Sequence, residues 1–375
     1  MPAHDSGTGP NGEGLRPAPR SFAEPDFPLN AWYAAAWDVE VTGALFARTI
    51  CGQELVLYRT EAGRAVALQD ACWHRLYPLS RGRLSGDRVT CGYHGLQFDT
   101  EGRCVFMPAQ DTINPSAAVR GYPVVERHRL IWVWPGDPAK ADPGLVPDLH
   151  WTEDPEWTAD GRVIHARCNY KLVLDNLMDL THETYVHSTS IGNEHVTAAP
   201  FDVRHGDDFV TVTRWMLDSE PPPTWAEKLG KPGNVDRWQV IGFQAPATIV
   251  IDVGVAPAGS GAPQGDRSAG VRNMVLNTLT PERDNTCHYF WGVARDYNLA
   301  DQALTHRDRE GVTGVFGEDE AVLAAQQRAI EANPGRTFYN LNIDLGAMWV
   351  RRVIDGQIAA EAADTPAAPA AAEGP

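Results

Sequence analysis

Two short stretches of the chain each carry one cysteine and one histidine: Cys72-Trp73-His74 and, after sixteen intervening residues, Cys91-Gly92-Tyr93-His94. Thiolate and imidazole donors at such short spacings imply a metal. The flanking sequence limits how the two arms can be presented. ELVLYRT, AVALQDA, RVTCGYH, CVFMP and LIWVWPG are brief apolar or alternating runs, broken by Gly, Asp and Pro. Such runs predict short strands with tight connections, and so a small all-β sandwich or barrel over residues 25–150. Each arm then sits in a loop between strands, and the two loops can meet at their tips. PGDPAKADPG, Pro135 to Gly144, reads as a linker or an extended wrap that closes this region.

Zinc fingers usually place two cysteines in one arm and two histidines in the other. Here each arm supplies one of each, which fits a Rieske [2Fe–2S] cluster. Cys72 and Cys91 would hold one iron, His74 and His94 the other. Neutral imidazoles in place of two thiolates remove negative charge and raise the reduction potential. Gly92 and Gly95 permit close backbone approach around the second arm. A zinc site with mixed arms is the competing reading. Cys51, Cys104, Cys168 and Cys287 have no metal spacing and read as small buried hydrophobes.

From residue 151 to 358 the texture changes. A helical stretch near Leu172 to Val186 precedes the strand-like runs FVTVTRWML, WQVIGFQ, TIVIDVGVA, NMVLNTLTP and CHYFWGVARDY, and a second helical segment follows at Glu318 to Ala332. Segregated helices and antiparallel strands make an α+β domain. The Gly/Pro-rich start, residues 1–24, and the Ala/Pro-rich end, residues 359–375, read as disordered tails. Within the first helical stretch lies NLMDLTHETYVH, Asn176 to His187. Two histidines with a carboxylate form the facial triad of non-haem iron, which leaves coordination positions open. His182 and His187 are five residues apart, so an ideal helix would point them about 140° apart. Both face one iron only if the helix widens into a π-bulge or ends near His187. On spacing, Asp179 is either the carboxylate ligand or a group that fixes an imidazole.

The net charge of −17 argues against nucleic acid and anionic membranes as partners. No apolar leader or membrane-length apolar run is visible, and six cysteines are spread thinly, so the expected location is the cytoplasm with reduced thiols. Arg214 in FVTVTRWML reads either as a partner for an aromatic carboxylate or, more simply, as a salt bridge. Asn277 reads as a pocket residue or as part of a turn or sheet edge. Trp215, Trp225, Trp238 and Trp291 read as core or as an aromatic pocket lining. His165, His195, His205 and His288 read as ordinary polar or packed histidines, and Glu183 as one half of a hydrogen bond or ion pair. GSG, Gly259 to Gly261, lacks the strand–helix context of a dinucleotide site.

Taken together, the cysteine–histidine arms and DNLMDLTHETYVHSTSIG, Asp175 to Gly192, resemble the Rieske non-haem iron aromatic oxygenases, and within them the vanillate O-demethylase oxygenase group. NAWYAAAW, WVWPGDPAKADPGL, YFWGVARDY, FGEDEAVLAAQQ and LNIDLGAMWVRRVI extend the likeness over about Leu29 to Ile354. The resemblance implies His182, His187 and Asp319 as ligands of a mononuclear Fe(II), in preference to Asp344. It implies Asp179 as a carboxylate bridging to His94 of a neighbouring subunit and to His182, with Asn176 near the iron. It implies a homotrimer, a separate flavin/ferredoxin-type reductase drawing on NADH, and a small aromatic substrate with O2. The implied reaction is monooxygenation of an aryl methyl ether, for vanillate giving protocatechuate and formaldehyde; another aromatic O- or N-methyl substrate, or an electron carrier without oxygenase chemistry, are the alternatives. Many relatives have Pro between the first Cys and His and Gly two residues after that His. Here those positions are Trp73 and Leu76.

Overall fold

A computed structural model of the chain describes residues 26–108, 110–192 and 194–364. The expected N-terminal tail lies outside the described residues, as does the stretch 365–375 of the C-terminal one. The N-terminal part is all β, in three small antiparallel sheets. One orders Tyr33–Trp37, Leu130–Val133 and Val124–Arg127; another Phe46–Ile50, Gln53–Arg59, Ala65–Gln69 and Gly121–Tyr122; the third Arg83–Ser85, Arg88–Thr90, Gln97–Phe98 and Cys104–Phe106. Two-residue turns with positive φ at both positions, Cys51-Gly52 and His128-Arg129, match the right-handed twist of the strands they join. Val56, Leu68, Leu79, Val89 and Phe98 form the core beneath the third sheet, and Cys72 and Cys91 belong to that core.

The C-terminal part is built on one seven-stranded antiparallel sheet. Its order is Thr158–Ala166, Thr286–Arg295, Val271–Arg283, Thr248–Pro257, Val235–Gln244, Phe209–Ser219, Phe201–His205. The five anticipated strands are all present; the two outer strands carry too little apolar patterning to be read from sequence. Both faces of the middle strands are covered, which explains runs such as TIVIDVGVA that do not alternate. On one face, Ile241, Ile251, Leu279 and Tyr289 pack with apolar residues of the helices. On the other, Val250, Met274, Leu276 and Phe290 pack against Trp32, Trp132 and Trp134 of the N-terminal part. The two parts also share backbone pairs: Cys51 N–H donates to Pro281 O at 2.7 Å and Gly52 N–H to Glu282 O at 2.9 Å.

Among the described residues six helices follow one another: α1 Tyr170–Met178, α2 Glu183–Val186, α3 His195–Ala198, α4 Pro223–Leu229, α5 Gln302–Ala332 and α6 Leu345–Asp364. Three of them differ from expectation. The predicted helix over 172–186 breaks at Asp179, whose φ of −131° and ψ of 106° are extended. Helix α5 starts sixteen residues before Glu318, because tertiary contact outweighs the poor helix propensity of Gly311, Gly314 and Gly317. Ion pairs Arg309–Asp160 at 2.9 Å and Arg162–Glu310 at 2.6 Å fix that early half to the outer strand. Helix α6 runs on to Asp364, past the expected start of the tail, with its earlier half anchored by buried Val350, Val353 and Ile354.

Candidate metal centres

The two arms share one backbone frame. Cys72 N–H donates to Tyr77 O at 3.0 Å and Leu76 N–H to Cys72 O at 2.8 Å; Cys91 N–H donates to Leu96 O at 2.8 Å and Gly95 N–H to Cys91 O at 3.1 Å. Each cysteine thus closes a turn with the residues four and five positions later. The fourth position takes positive φ in both arms: 76° at Gly95 and 57° at Leu76. Leu76 therefore adopts the conformation a glycine would take there, at a cost of roughly 1–2 kcal/mol for a residue with Cβ. Leucine in one arm and glycine in the other thus carry the same turn. Close approach is needed at Gly92, where a Cβ would lie 2.9 Å from Arg81 O. Asp70 anchors the first arm by accepting from Ser80 N–H and Ser80 Oγ, both at 2.6 Å.

Cys72 and Cys91 are buried, whereas His74 and His94 are exposed with ring centroids 4.6 Å apart. Two soft donors below and two imidazoles above suit the unequal irons of a Rieske cluster. Burial, with the Cys91 thiol beside it, pushes the Cys72 thiol up to about 11. Bound metal supplies the positive charge that makes such a thiol ionise. Cys51, Cys104, Cys168 and Cys287 are buried free thiols.

The second centre arises from the break in the helix. Asp179 leaves α1 and caps a 3₁₀ turn, Leu180–His182: Oδ1 accepts from Thr181 N–H at 3.1 Å and Oδ2 from Thr181 Oγ1 at 2.5 Å. Helix α2 lasts only to Val186, and His187 ends it with φ −109° and ψ 29°. The bend and the early stop replace a π-bulge and turn both imidazoles to one side, with ring centroids 5.3 Å apart. His182 Nδ1 meets the Asp179 carbonyl oxygen at 2.7 Å, and His187 Nδ1 meets Glu318 Oε2 at 2.6 Å. Both contacts put the proton on Nδ1 and leave the Nε2 lone pairs for a metal. His182 Nε2 lies 3.4 Å and His187 Nε2 3.2 Å from Asp319 Oδ1 of α5.

One donor atom from each of the three residues falls within 4.8 Å of the others. His187 Nε2 is buried without a well-aligned hydrogen-bond partner, as expected of an atom whose partner is a metal. This set of two imidazoles and one carboxylate fits mononuclear iron. Burial alone would lower the His187 pKa; Asp319 and Glu318 outweigh it and raise it. Asn176 Nδ2 donates to Asp319 Oδ1 at 3.2 Å. Asp344 lies outside the cluster, accepting from Leu341 N–H at the start of a 3₁₀ turn.

Two buried acid–arginine pairs hold this segment on the sheet. Asp179 Oδ1 faces Arg214 Nη2 at 3.7 Å, and Glu183 Oε2 accepts from Arg237 Nη2 at 2.9 Å and from Gln239 Nε2 at 3.0 Å. Arg214 pairs with Gln239 across the sheet, and Met216 with Arg237, so these side chains share one face. Arg214 and Glu183 thus take the ion-pair readings of their sequences. The Asp179 carboxylate does not touch His182; its carbonyl oxygen does. Asn277 is mid-strand and fully buried, donating to Ile249 O at 3.1 Å and accepting from Tyr289 Oη at 2.7 Å. Trp238 and Trp291 are core; Trp225 lines the site.

Beside the three donors opens a cavity of ≈ 220 Å³. An apolar cavity of about 150 Å³ holds one benzene ring, so this one accommodates a single substituted ring. Leu177, Leu180, Ile251, Val275, Val312 and Phe316 supply an apolar wall, and Arg237, Lys228, Asp308 and Asn273 add polar groups. Sequence reading passed over these four and Glu318. Only Glu318 left a signal, as the neighbour of Asp319.

The chain matches known families along most of its length. Residues 31–123 match the Rieske [2Fe–2S] domain, and residues 166–360 the vanillate O-demethylase oxygenase C-terminal domain. It is 42% identical to a vanillate O-demethylase oxygenase subunit of a Pseudomonas species, over 89% of this chain and 96% of that one. It is 39% identical to a toluene-4-sulfonate monooxygenase system iron-sulfur subunit of Comamonas testosteroni, over 89% and 98%. The crystal structure of dicamba monooxygenase bound to 3,6-dichlorosalicylic acid superposes with a TM-score of 0.84 at 36% identity, covering 89% of this chain and 98% of that one.

Proposed function

Because the chain belongs to the Rieske non-haem iron oxygenases, as an oxygenase component of the aromatic O-demethylase type, we propose that it demethylates vanillate to protocatechuate and formaldehyde. The observation that carries this reading is an apolar, single-ring cavity opening directly onto His182, His187 and Asp319. The name and 42% identity of the Pseudomonas relative support vanillate as the particular ring. A second reading, a sulfonated aromatic substrate, is favoured by the 39% identity to the toluene-4-sulfonate subunit.

The cofactors are a Rieske [2Fe–2S] cluster and a mononuclear iron. Cys72, His74, Cys91 and His94 would hold the cluster; His182, His187 and Asp319 would hold the iron. When bound, the cluster supplies electrons singly and the iron supplies O2-dependent oxidation of a methyl C–H. The balance is an aryl methyl ether, O2, two electrons and two protons giving a hemiacetal and water; the hemiacetal then releases phenol and formaldehyde. The chain's own part is positional. Asp179 and Glu318 fix the imidazoles in the Nδ1–H tautomer, and Asn176 keeps Asp319 in register with them. The aliphatic wall holds the ring and excludes bulk water.

Electrons would cross a subunit boundary in a homotrimer, where the Asp179 carboxylate would bridge to His94 of the partner subunit. They originate from NADH through a separate flavin/ferredoxin-type reductase. The cluster-bearing domain spans 25–150 and the catalytic domain 151–358. The protein works in the cytoplasm; among the described residues no helix is long and apolar enough to cross a membrane. The test combines purified protein with a reductase, NADH and O2 and measures formaldehyde from vanillate, veratrate, syringate and guaiacol. NADH consumption without formaldehyde from any of them would falsify demethylation while leaving the oxygenase standing.

A further inference from the structure

One cation of the cavity keeps hydrogen-bond donors in reserve. Arg237 lines the cavity and is 3% exposed. Its Nη2 donates to Glu183, whereas Nη1 and Nε have no hydrogen-bond partner. Buried donors on a charged group are costly to leave unpaired. Met216 and Val255, its neighbours across the sheet, are apolar. Glu183 already serves Arg237 and Gln239 together. Lys228, the other inner cation, is fully engaged: it lies 3.0 Å from Asp308 Oδ1 and 5.3 Å over the Trp225 ring. With the Asn273 amide turned so that its oxygen faces the ammonium, Lys228 also donates there at 3.0 Å.

Charge points the same way. Away from the three metal-facing residues, the lining carries the cations Lys228, Arg237 and Arg307 against the carboxylates Glu183 and Asp308. Three against two leaves a net charge of +1, which suits a monoanion. Arg214, the arginine that the sequence nominates for an aromatic carboxylate, is absent from the lining and faces Asp179.

We infer that Arg237 binds the anionic group of the substrate's ring, a carboxylate or sulfonate, through its free Nη1 and Nε donors, while the ring lies along Ile251, Val253 and Val275. A guanidinium suits this task because it can serve Glu183 with one edge and an anion with another. The inference rests on the reading of a single-ring aromatic substrate and adds how that substrate is selected. It makes Arg237 a specificity-determining residue and leaves the reaction at the iron unchanged.

The experiment measures binding and turnover separately, in the cluster- and iron-loaded protein. Calorimetry under nitrogen gives Kd for vanillate, for its ring sulfonate counterpart and for guaiacol, which keeps ring and methoxyl but lacks the anion. In Arg237→Met, Kd for the favoured anion should rise about 10–100-fold, the loss expected for a charge-assisted hydrogen bond, with guaiacol changed less than about twofold. Arg237→Lys keeps a cation beside Glu183 for folding but lacks the fork, and should recover only part of the loss. Whichever of carboxylate and sulfonate shows the larger loss is the selected anion. Parallel weakening of guaiacol and of the anions together, with loss of iron, would limit Arg237 to its bracing of Glu183 and overturn the inference. So would a wild-type protein that binds guaiacol as tightly as both anions. Arg237-dependent anion binding without formaldehyde supports the anion site and removes the demethylase reading. Formaldehyde from vanillate at unchanged KM in the variant overturns the anion site alone.

Discussion

The two candidate metal centres are built in opposite ways. The cluster arms come from two turns of one small sheet system, repeat the same hydrogen-bond frame and project His74 and His94 into solvent. The triad draws on residues 132 apart, His187 and Asp319, and buries them under a helix break and two acid–arginine pairs. A centre that exchanges electrons with a partner gains from exposure. A centre that directs O2 at one C–H bond gains from a dry, rigid wall. Rigidity here comes from burying charge, so the second region is more sensitive to single substitutions in its support.

The largest effect expected separates the two centres outright. Cys72→Ser should take the cluster pair, leaving about one iron of about three per chain and no Rieske absorbance. Asp319→Asn should leave the Rieske signal intact and take the mononuclear iron. Both should abolish product formation. Metal analysis with EPR decides the matter, and loss of both centres in either variant would contradict their independence.

Next comes the support of the triad. Glu183→Leu strands Arg237 in the interior, and breaking a buried pair typically costs about 3–5 kcal/mol. Urea unfolding should show that loss. An exposed pair of the same chemistry, such as Arg204–Asp202, should cost under about 1 kcal/mol when broken. Equal losses would mean that the burial of charge is not what stiffens the catalytic region.

A third effect lies where the two regions meet. Burial first, and Arg48 of the N-terminal part second, lower the His288 pKa from 6.5 to about 4. The folded state keeps this ring neutral, while the unfolded chain takes up a proton below pH 6.5. Folding stability should therefore fall as pH drops from about 6.5 toward 4, by at most about 1.4 kcal/mol per pH unit. His288→Gln should flatten that part of the profile in denaturant titrations at pH 7, 6 and 5. A variant as steep as the parent would remove His288 as the source.

The smallest effect concerns the positive φ of Leu76 in the first arm. Leu76→Gly relieves a positive φ but adds freedom to the unfolded chain, so the net gain should stay below about 1 kcal/mol. Iron content and Rieske spectrum should not change. A shifted spectrum would show that Leu76 shapes the cluster's surroundings beyond its backbone.

These comparisons follow what could be read in advance. The strands of both parts were legible where apolar runs sit between turn residues. The outer strands Thr158–Ala166 and Phe201–His205 were not, because they bury too little to carry a pattern. Helix α5 was half legible, since three glycines hide a helix that packing on the sheet enforces. For the 182–187 spacing, two solutions were open on paper, a widened helix or an early stop. The structure takes the stop, because Asp179 caps a new turn.

What the string of residues settled by itself is the chemistry available and the family. Soft and imidazole donors two or three positions apart are brought together by the local turn, whatever the rest of the fold does. What only the folded chain decided is which distant groups join them: Asp319 and not Asp344, Glu318 on His187, and Arg237 in the wall where Arg214 stood as the candidate. Those choices depend on strand register and on which helix face meets the sheet. Both are set by burial summed over the whole domain, which no local pattern records.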